Sequence, residues 1–203
     1  MSKKILLGMS GGVDSSVAAL LLQRQGYEVT GVTMRLRPDE YMCTSQSGGC
    51  CSFDDIDDAR RVCYRLGIEH LVMNFPEEFE RDVIEPFAKD YQAGRTPNPC
   101  INCNRYLKFE EMLRRAQQLG FDAVATGHYA IVRQNQNGRW LLYRSPAGKD
   151  QSYVLYSMTQ RQLAHTLFPL GELEKPEVRR MAQEAGLPVA KKPDSQEICF
   201  VEN

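Results

Sequence analysis

ILLGMSGGVDSS, residues 5–16, joins an apolar stretch to a loop of glycines, hydroxyls and one acid, and helix-forming residues follow it. Consecutive aliphatic residues before a turn predict a buried strand. Gly11 and Gly12 can take positive φ angles and leave room for a ligand to approach the backbone. Backbone N–H groups at the start of the following helix favour negative charge there. The stretch therefore predicts an anion-binding loop at the end of the first strand.

This loop differs from the two commonest phosphate-binding loops. A Walker A loop ends in Gly-Lys-Ser/Thr, which this loop lacks, and the GxGxxG pattern is broken because Gly12 directly follows Gly11. The segment SGGVDSS, residues 10–16, instead resembles the PP-loop of the ATP pyrophosphatase superfamily. That resemblance implies cleavage of ATP between its α and β phosphates. A glycine-rich turn that binds no ligand is the alternative.

Apolar strands alternate with amphipathic helices up to residue 126. Predicted strands cover residues 4–9, 29–34, 71–74 and 123–126, and predicted helices cover residues 15–25, 54–66, 78–92 and 109–119. This alternation predicts an α/β fold, a Rossmann-like parallel sheet with helices on both faces. Ligands of such sheets bind beyond the carboxyl ends of the strands. The loop over residues 10–15, Met34 and Gly127 are all expected at that edge.

The pattern changes after residue 130. Residues 130–133 and 140–144 predict a β-hairpin, and Pro176 is expected to open a helix that ends near Gly186. We expect an ATP-binding catalytic domain over residues 1–160 and the start of a smaller helical domain over residues 161–203. The sequence contains neither a run of 18 apolar residues nor a secretory signal, so no membrane association and a cytoplasmic location are expected.

Charge is distributed unevenly in a chain whose net charge is only −1. Residues 37–90 contain 6 basic and 13 acidic residues, whereas residues 91–149 contain 9 basic and 3 acidic ones. A basic zone of this kind is typical of a surface that binds a phosphate backbone. An unevenly charged solvated surface is an equally good interpretation.

Cys100 and Cys103 form a CxxC motif that the prolines of residues 94–104 place in a predicted loop. Seven cysteines without a secretory signal indicate a reducing compartment, where paired cysteines more often bind metal or act in catalysis. The pair suits sulfur exchange, or ligation of a metal or iron–sulfur cluster. Cys199 by itself is typical of a buried strand, and Cys63 is expected in the core. No catalytic role is expected for Cys43, Cys50 and Cys51.

Six segments together resemble the bacterial tRNA 2-thiouridylase family, whose members thiolate the wobble uridine of certain tRNAs. They are GMSGGVDSSVAALLL (8–22), GRTPNPCINCNRYLKF (94–109), ATGHYA (125–130), KDQSYVLY (149–156), FPLGELEKPEVR (168–179) and SQEICFV (195–201). The segments follow the family's order across nearly the whole chain. The resemblance implies an ATP-dependent tRNA-uridine 2-sulfurtransferase.

The same resemblance implies a role for each matching residue. Cys103 corresponds to the nucleophile, and Cys199 to the cysteine that carries a persulfide. Magnesium would accompany ATP, with Asp14 beside the metal or the pyrophosphate. A cysteine desulfurase or another persulfide donor is the implied protein partner, besides tRNA. The ATP contacts would be Gly8, Met9, Ser10, Gly11, Gly12, Val13, Asp14, Ser15, Met34 and Gly127. Contacts with the tRNA or its target base would be Asn98, Pro99, Cys100, Lys149, Asp150 and Gln151.

The chain departs from the family pattern in two respects. Many members have Asp where this chain has Cys100, and the extra thiol leaves open a [4Fe–4S] cluster held by Cys100, Cys103 and Cys199. Full-length relatives also continue into the rest of a central domain and a C-terminal β-barrel, which this chain lacks. We expect it to be a catalytic portion. Two rival functions remain: another PP-loop ligase that adenylates a small carboxylate or purine, and a non-catalytic iron–sulfur module.

Overall fold

A parallel sheet forms the centre of the protein in a computed structural model that describes residues 2–37, 53–146, 148–194 and 198–201. The strands are β1 (Lys4–Gly8), β2 (Glu28–Arg35), β3 (Glu69–Asn74), β4 (Ala123–Ala125), β5 (Ala130–Gln134), β6 (Trp140–Arg144) and β7 (Thr166–Leu167). Within the described residues, five strands pair in the order β3–β2–β1–β4–β7, all parallel. The predicted parallel sheet is confirmed, and β5 and β6 form the predicted antiparallel hairpin.

The helices cover both faces of this sheet. They are α1 (Val13–Arg24), α2 (Phe53–Leu66), α3 (Pro76–Phe79, Glu80–Ile84 and Glu85–Gln92 in succession), α4 (Pro99–Asn102, Cys103–Glu111 and Met112–Gln118 in succession), α5 (Gln160–Ala164) and α6 (Lys175–Glu184). The middle segments of α3 and α4 are π-helical, and a 3₁₀ turn covers Ser152–Val154. No helix of the described ranges is both long and apolar enough to cross a bilayer.

The central strand β1 explains how both faces are packed. Its residues Ile5, Leu6 and Leu7 are fully buried. Because side chains alternate along a strand, Ile5 and Leu7 pack with α1 and α6, while Leu6 packs with α3 and α4. Burial on both faces is what a continuous aliphatic run in a parallel sheet requires.

Helix α4 begins earlier than the sequence pattern indicated. The prediction that the CxxC lies in a loop is wrong, because both cysteines are helical. Pro99 occupies the first turn, where a missing N–H costs nothing. The Asn98 side chain accepts a hydrogen bond from the Cys100 amide at 3.0 Å and caps the helix. The motif is therefore held on the first turns of a long helix.

The described residues after position 160 join the same layers. Strand β7 pairs with β4, and α6 packs against α1. Val178 and Ala182 of α6 lie in the same buried cluster as Ile5. Residues beyond 160 thus complete the sheet and core described above. The division into domains over 1–160 and 161–203 stays a prediction.

Candidate functional site

A cavity of about 390 Å³ opens beyond the carboxyl ends of β1, β2 and β4. Its volume is typical of small-molecule sites, which measure about 300–1,000 Å³. Every residue that the sequence assigned to ATP lines this cavity, except Gly11. The topology therefore brings the loop after β1 together with Met34 and Gly127, as the sheet-edge argument predicted.

Gly11 lies in the same loop but packs against the backbone of Asp55 instead of lining the cavity. Its φ angle is 68°, and a Cβ atom there would lie 2.4 Å from the carbonyl oxygen of Asp55. A left-handed conformation in so narrow a space requires glycine. Hydroxyls close the rest of the turn: Ser15 Oγ accepts from the Ser10 amide at 3.2 Å, and Ser16 Oγ donates to the Gly12 carbonyl at 2.7 Å.

The first turn of α1 lines the cavity. Gly12 is the N-cap residue and has no side chain that could accept hydrogen bonds from the backbone amides of this turn. The first N–H groups of a helix lack partners within it. Together with the helix dipole, they suit a phosphate group.

Asp14, on this first turn, is held by two donors from distant parts of the chain. The Tyr129 hydroxyl donates to Asp14 Oδ1 at 2.8 Å, and the Lys175 ammonium donates to the same oxygen at 2.6 Å. Tyr129 is fully buried. Burial and the Asp14 charge raise the pKa of Tyr129, so its hydroxyl remains a donor. The carboxylate is therefore oriented rather than mobile.

Among the described residues, Lys149, Lys175 and Arg179 converge on Asp194 at the cavity wall. The nitrogen–oxygen distances are 2.6, 2.8 and 2.8 Å, respectively. Burial alone would raise the Asp194 pKa, but hydrogen bonds from Lys149 and Lys175 lower it to about 2. The sequence analysis missed the roles of Lys175, Arg179 and Asp194, and no local pattern marks them.

Lys192, two residues before Asp194, forms ion pairs with two carboxylates of α2. Its ammonium lies 2.8 Å from Asp55 and 2.6 Å from Asp58. Burial would lower the Lys192 pKa, yet these hydrogen bonds raise it above its ordinary value. The ion pairs hold residues 192–194 against the cavity.

Asp150 and Gln151, predicted as tRNA contacts, make structural hydrogen bonds. Asp150 accepts from the Ser145 amide at 2.9 Å and from the Ser152 hydroxyl at 2.8 Å. Gln151 Oε1 accepts from the Tyr129 amide at 3.0 Å. These bonds hold the turn that presents Lys149 to the cavity. Contact of this segment with tRNA stays a prediction.

His128 follows β4 and lines the cavity. Its Nδ1 and the Thr126 hydroxyl oxygen are 2.7 Å apart, and Phe109 and Phe168 pack around the ring at 6.0 Å. Burial, and to a lesser degree the charge of Lys108, hold the His128 pKa well below its ordinary value. The ring is therefore neutral at pH 7 and presents a polar edge without a positive charge.

Helix α4 connects the CxxC with the cavity. Lys108 and Met112 of this helix line the cavity. Cys103 precedes Lys108 by five residues, about one turn of the π-helical segment. Cys100 is exposed, whereas Cys103 is partly buried. Cys103, the nucleophile that the resemblance implies, is thus carried by an element that also lines the cavity.

Cys199 lies on the face of the sheet that α3 and α4 cover. The neighbouring Phe200 ring packs edge-on against Phe79 at 5.7 Å and Phe87 at 5.3 Å, both on α3. Cys103 and Cys199 pack against one hydrophobic cluster, which α3 and α4 share. The structure therefore places on one hydrophobic cluster two cysteines that lie 96 positions apart in the sequence.

The described residues of this region were predicted to hold an iron–sulfur cluster or a magnesium ion. Within the described ranges, no group of three His, Cys, Asp or Glu side chains is arranged to hold a metal ion. An iron–sulfur cluster held by Cys100, Cys103 and Cys199 stays a prediction. Magnesium bound with a nucleotide needs only one or two carboxylates besides the phosphates. Asp14 lines the cavity, and its place beside magnesium stays a prediction. Outside the described residues lie Cys43, Cys50 and Cys51.

A sequence model of the tRNA methyl transferase HUP domain matches residues 3–203. The tRNA-specific 2-thiouridylase MnmA of Clostridium acetobutylicum is 54% identical over 202 residues, and that of Lachnoclostridium phytofermentans is 57% identical over 201 residues. These alignments cover 99% and 98% of this chain but 57% and 56% of the relatives. The chain thus spans little more than half the length of the curated relatives it matches.

Solved structures agree on the fold. The NMN synthetase of Francisella tularensis superimposes with a TM-score of 0.55 at 21% identity, covering 95% of this chain and 66% of that protein. A predicted subunit of tRNA methyltransferase from Methanocaldococcus jannaschii gives 0.53 at 16% identity, with 90% and 75% covered. The Rossmann-like α/β fold expected from the sequence is confirmed.

Proposed function

Because the chain belongs to the tRNA methyl transferase HUP domain family, we propose that it is the ATP-using catalytic portion of a tRNA-uridine 2-sulfurtransferase. The observation that carries this proposal is the dual role of α4, whose first turns hold the CxxC and whose Lys108 and Met112 line the cavity. An ATP-dependent activation and a sulfur transfer could then act on one bound uridine. The relatives' name, tRNA-specific 2-thiouridylase, supports the same reaction.

In the first step, ATP activates an oxygen that is otherwise a poor leaving group. The 2-carbonyl oxygen of the uridine attacks the α-phosphorus of ATP, and the bond to pyrophosphate breaks. Backbone amides of the loop over residues 10–15 would stabilise the charge on the departing pyrophosphate. Magnesium bound with ATP would neutralise part of that charge, with Asp14 beside it.

In the second step, sulfur replaces the activated oxygen. A persulfide on Cys199, loaded by a cysteine desulfurase or another persulfide donor, is attacked by the Cys103 thiolate. A Cys103–Cys199 disulfide forms and hydrosulfide leaves. Hydrosulfide adds to carbon 2 of the uridine, and AMP departs with the former carbonyl oxygen. A cellular dithiol then reduces the disulfide. The common hydrophobic environment of both cysteines supports this pairing.

The target base must leave its stack before it can reach the cavity, at a cost of roughly a few kcal/mol. Asn98, Pro99 and Cys100 stand at the start of α4, where an extruded uridine could meet them. Lys149 would contact the RNA phosphates or those of ATP. A cytoplasmic location fits these substrates. An iron–sulfur-dependent variant that uses Cys100, Cys103 and Cys199 is the alternative.

The test is an incubation of anticodon stem-loop RNA with ATP, magnesium and a persulfide source. The RNA is supplied in excess, because the chain has only part of its relatives' length. Mass spectrometry should detect replacement of one oxygen by sulfur. Cys103→Ser and Cys199→Ser should abolish this change, whereas Cys63→Ala should not. Cys63 is a suitable control because burial raises the pKa of its thiol to about 11.

Other outcomes would contradict the proposal. Thiolation that persists in both cysteine variants would exclude the disulfide route. Release of AMP with a small carboxylate or purine, without any change in the RNA, would favour a different PP-loop ligase. Iron retained on anaerobic purification, with activity that depends on it, would favour the cluster-dependent variant.

A further inference from the structure

A buried amide in helix α4 has one atom without a hydrogen bond. Asn104 is only 2% exposed, and within the described ranges its Oδ1 has no hydrogen-bond partner. Its Nδ2 donates to the Cys100 carbonyl oxygen at 2.9 Å. Because a carbonyl oxygen can only accept, this bond fixes the orientation of the amide and leaves Oδ1 as the open atom. A buried acceptor of this kind is rare and costly, and a ligand with an N–H group would relieve the cost.

Helix α4 does not need this amide for its own hydrogen bonds. The Cys100 carbonyl also accepts from the backbone amide of Cys103. The Asn98 side chain caps the helix through the backbone amide of Cys100. Loss of the Asn104 amide would therefore still leave the Cys100 carbonyl with a partner, and an apolar side chain of similar size would avoid the buried open acceptor.

Asn104 lies on α4 between the turn of the CxxC and the residues that line the cavity. The segment Cys103–Glu111 is π-helical, and π-helical bonds join residues five apart, so Lys108 and Phe109 lie one turn after Asn104. Lys108 lines the cavity. Phe109 packs at 6.0 Å against the ring of His128, which also lines it. Asn104 is not itself part of the lining, but the helical repeat places it on the face that leads there.

The substrate of the proposed reaction has a donor that suits this acceptor. Uridine carries N3–H directly beside carbon 2, the atom at which the proposed thiolation takes place. Enzymes that act on a base outside its stack recognise it by hydrogen bonds to this edge. Carbon 2 has to approach both the cavity and the cysteines, and N3 is bonded to it. Cytidine has no hydrogen at N3, so its ring would place one acceptor against another.

We propose that Asn104 is a specificity-determining residue whose Oδ1 accepts a hydrogen bond from N3–H of the target uridine. The inference rests on the proposed function, because it takes a uridine as the substrate. Asn104 is buried in this structure, so the base displaces the side chains that cover the amide. The new hydrogen bond offsets part of that cost for uridine, but not for a base without a hydrogen at N3.

The first measurement compares two anticodon stem-loop RNAs that differ only in the target nucleotide, uridine or N3-methyluridine. Fluorescence anisotropy gives the affinity of the protein for each RNA, without ATP. The unmodified chain should bind the uridine RNA about tenfold more tightly, which is the effect of one hydrogen bond. Asn104→Ala removes the acceptor and makes room for the methyl group, so it should bind both RNAs alike.

Two results would overturn the proposal. One is an unmodified chain that does not distinguish the two RNAs, whether it binds both or neither. The other is a preference for uridine that persists in Asn104→Ala, since another group would then recognise N3. Gln118→Ala is the control, because it removes an exposed amide at the other end of the same helix and should keep the full preference.

The second measurement separates recognition from folding. Asn104→Leu keeps the size of the side chain without its polar atoms. Its denaturant midpoint should equal or exceed that of the unmodified chain, because a buried open acceptor is removed, yet its preference for uridine should be lost. Retention of the preference in Asn104→Leu would overturn the proposal. The ratio of the two affinities decides even for a less stable variant, because the same folded fraction binds both RNAs.

The inference and the proposed function fail in different ways. Neither measurement requires ATP or a sulfur donor. Absence of thiolation, with the preference for uridine intact and dependent on Asn104, would count against the proposed function alone. Normal thiolation of N3-methyluridine RNA by the unmodified chain would count against this inference alone.

Discussion

A methyl group added to Gly127 would lie 2.8 Å from the amide nitrogen of Ser15. The loop after β4 therefore runs in direct contact with the first turn of α1. Both residues line the cavity, so this contact forms part of its wall. Glycine is required here by the close approach of two backbones rather than by a positive φ angle.

Gly127→Ala should therefore separate the two segments. The new Cβ would also lie 2.9 Å from the carbonyl carbon of Asp14, so backbone must move. Overpacking of this kind costs about 1–3 kcal/mol. We expect a lower free energy of unfolding and weaker ATP binding, measured by denaturant titration and calorimetry. Gly148→Ala, which meets no atom within 4 Å, should change neither. Native ATP affinity in Gly127→Ala would show that the close contact is dispensable.

Tyr129→Phe removes one of the two donors that orient Asp14. The lost bond is 2.8 Å long and ends on a carboxylate. Hydrogen bonds to charged groups contribute about 1.5–3 kcal/mol, and the free energy of unfolding should fall by that amount. Tyr143→Phe, at an exposed position of β6, is the matched control and should leave stability unchanged. Equal stability of both variants would mean that Asp14 does not depend on Tyr129.

The stability of the fold should depend on pH through His128. Its folded-state pKa lies well below the ordinary value, because burial and Lys108 disfavour the charged ring. Between the two pKa values the unfolded chain binds more protons, so the contribution of the neutral ring is complete above about pH 6.5 and is lost as the pH falls.

His128→Gln cannot titrate and should remove this dependence. We expect the free energy of unfolding of the unmodified chain, relative to this variant, to decline between pH 7.5 and pH 5. Denaturant unfolding at each pH measures the difference, and the contribution of His70 cancels because both proteins contain it. A constant difference across this range would disprove the assignment.

Phe200→Ala should release Cys199 from α3. The ring makes edge-on contacts with Phe79 and Phe87, and each aromatic pair contributes about 0.5–1.5 kcal/mol beyond burial. Alkylation of Cys199 should therefore accelerate, and thiolation should slow because the cysteine is no longer held on the cluster against which Cys103 packs. Phe53→Ala, on an exposed part of α2, should affect neither rate. Unaltered alkylation in Phe200→Ala would show that the aromatic contacts do not hold this segment.

Much of the fold follows from local pattern. Aliphatic runs predicted β1 to β4 within one or two residues of their ends. Gly26, Gly67 and Gly120 follow helices with positive φ angles, which glycine adopts without steric cost. Strand β7 was missed because two residues show no periodicity, and only pairing with β4 makes them a strand. The start of α4 was missed because proline usually ends a helix. Pro99 instead lies in the first turn, where helices tolerate proline.

The sequence by itself determined the anion-binding loop, because glycine conformations, serine hydroxyls and a helix start act over a few neighbouring residues. The resemblance to a known family also assigned sulfur-transfer roles to Cys103 and Cys199, and these roles stay predictions. Only the tertiary structure decided that Lys149, Lys175 and Arg179 meet at Asp194, and that the helix carrying the CxxC also lines the cavity. The physical reason is that ion pairs and shared packing depend on distance in space. The residues next to a charged side chain in the sequence therefore do not predict its distant ion-pair partner.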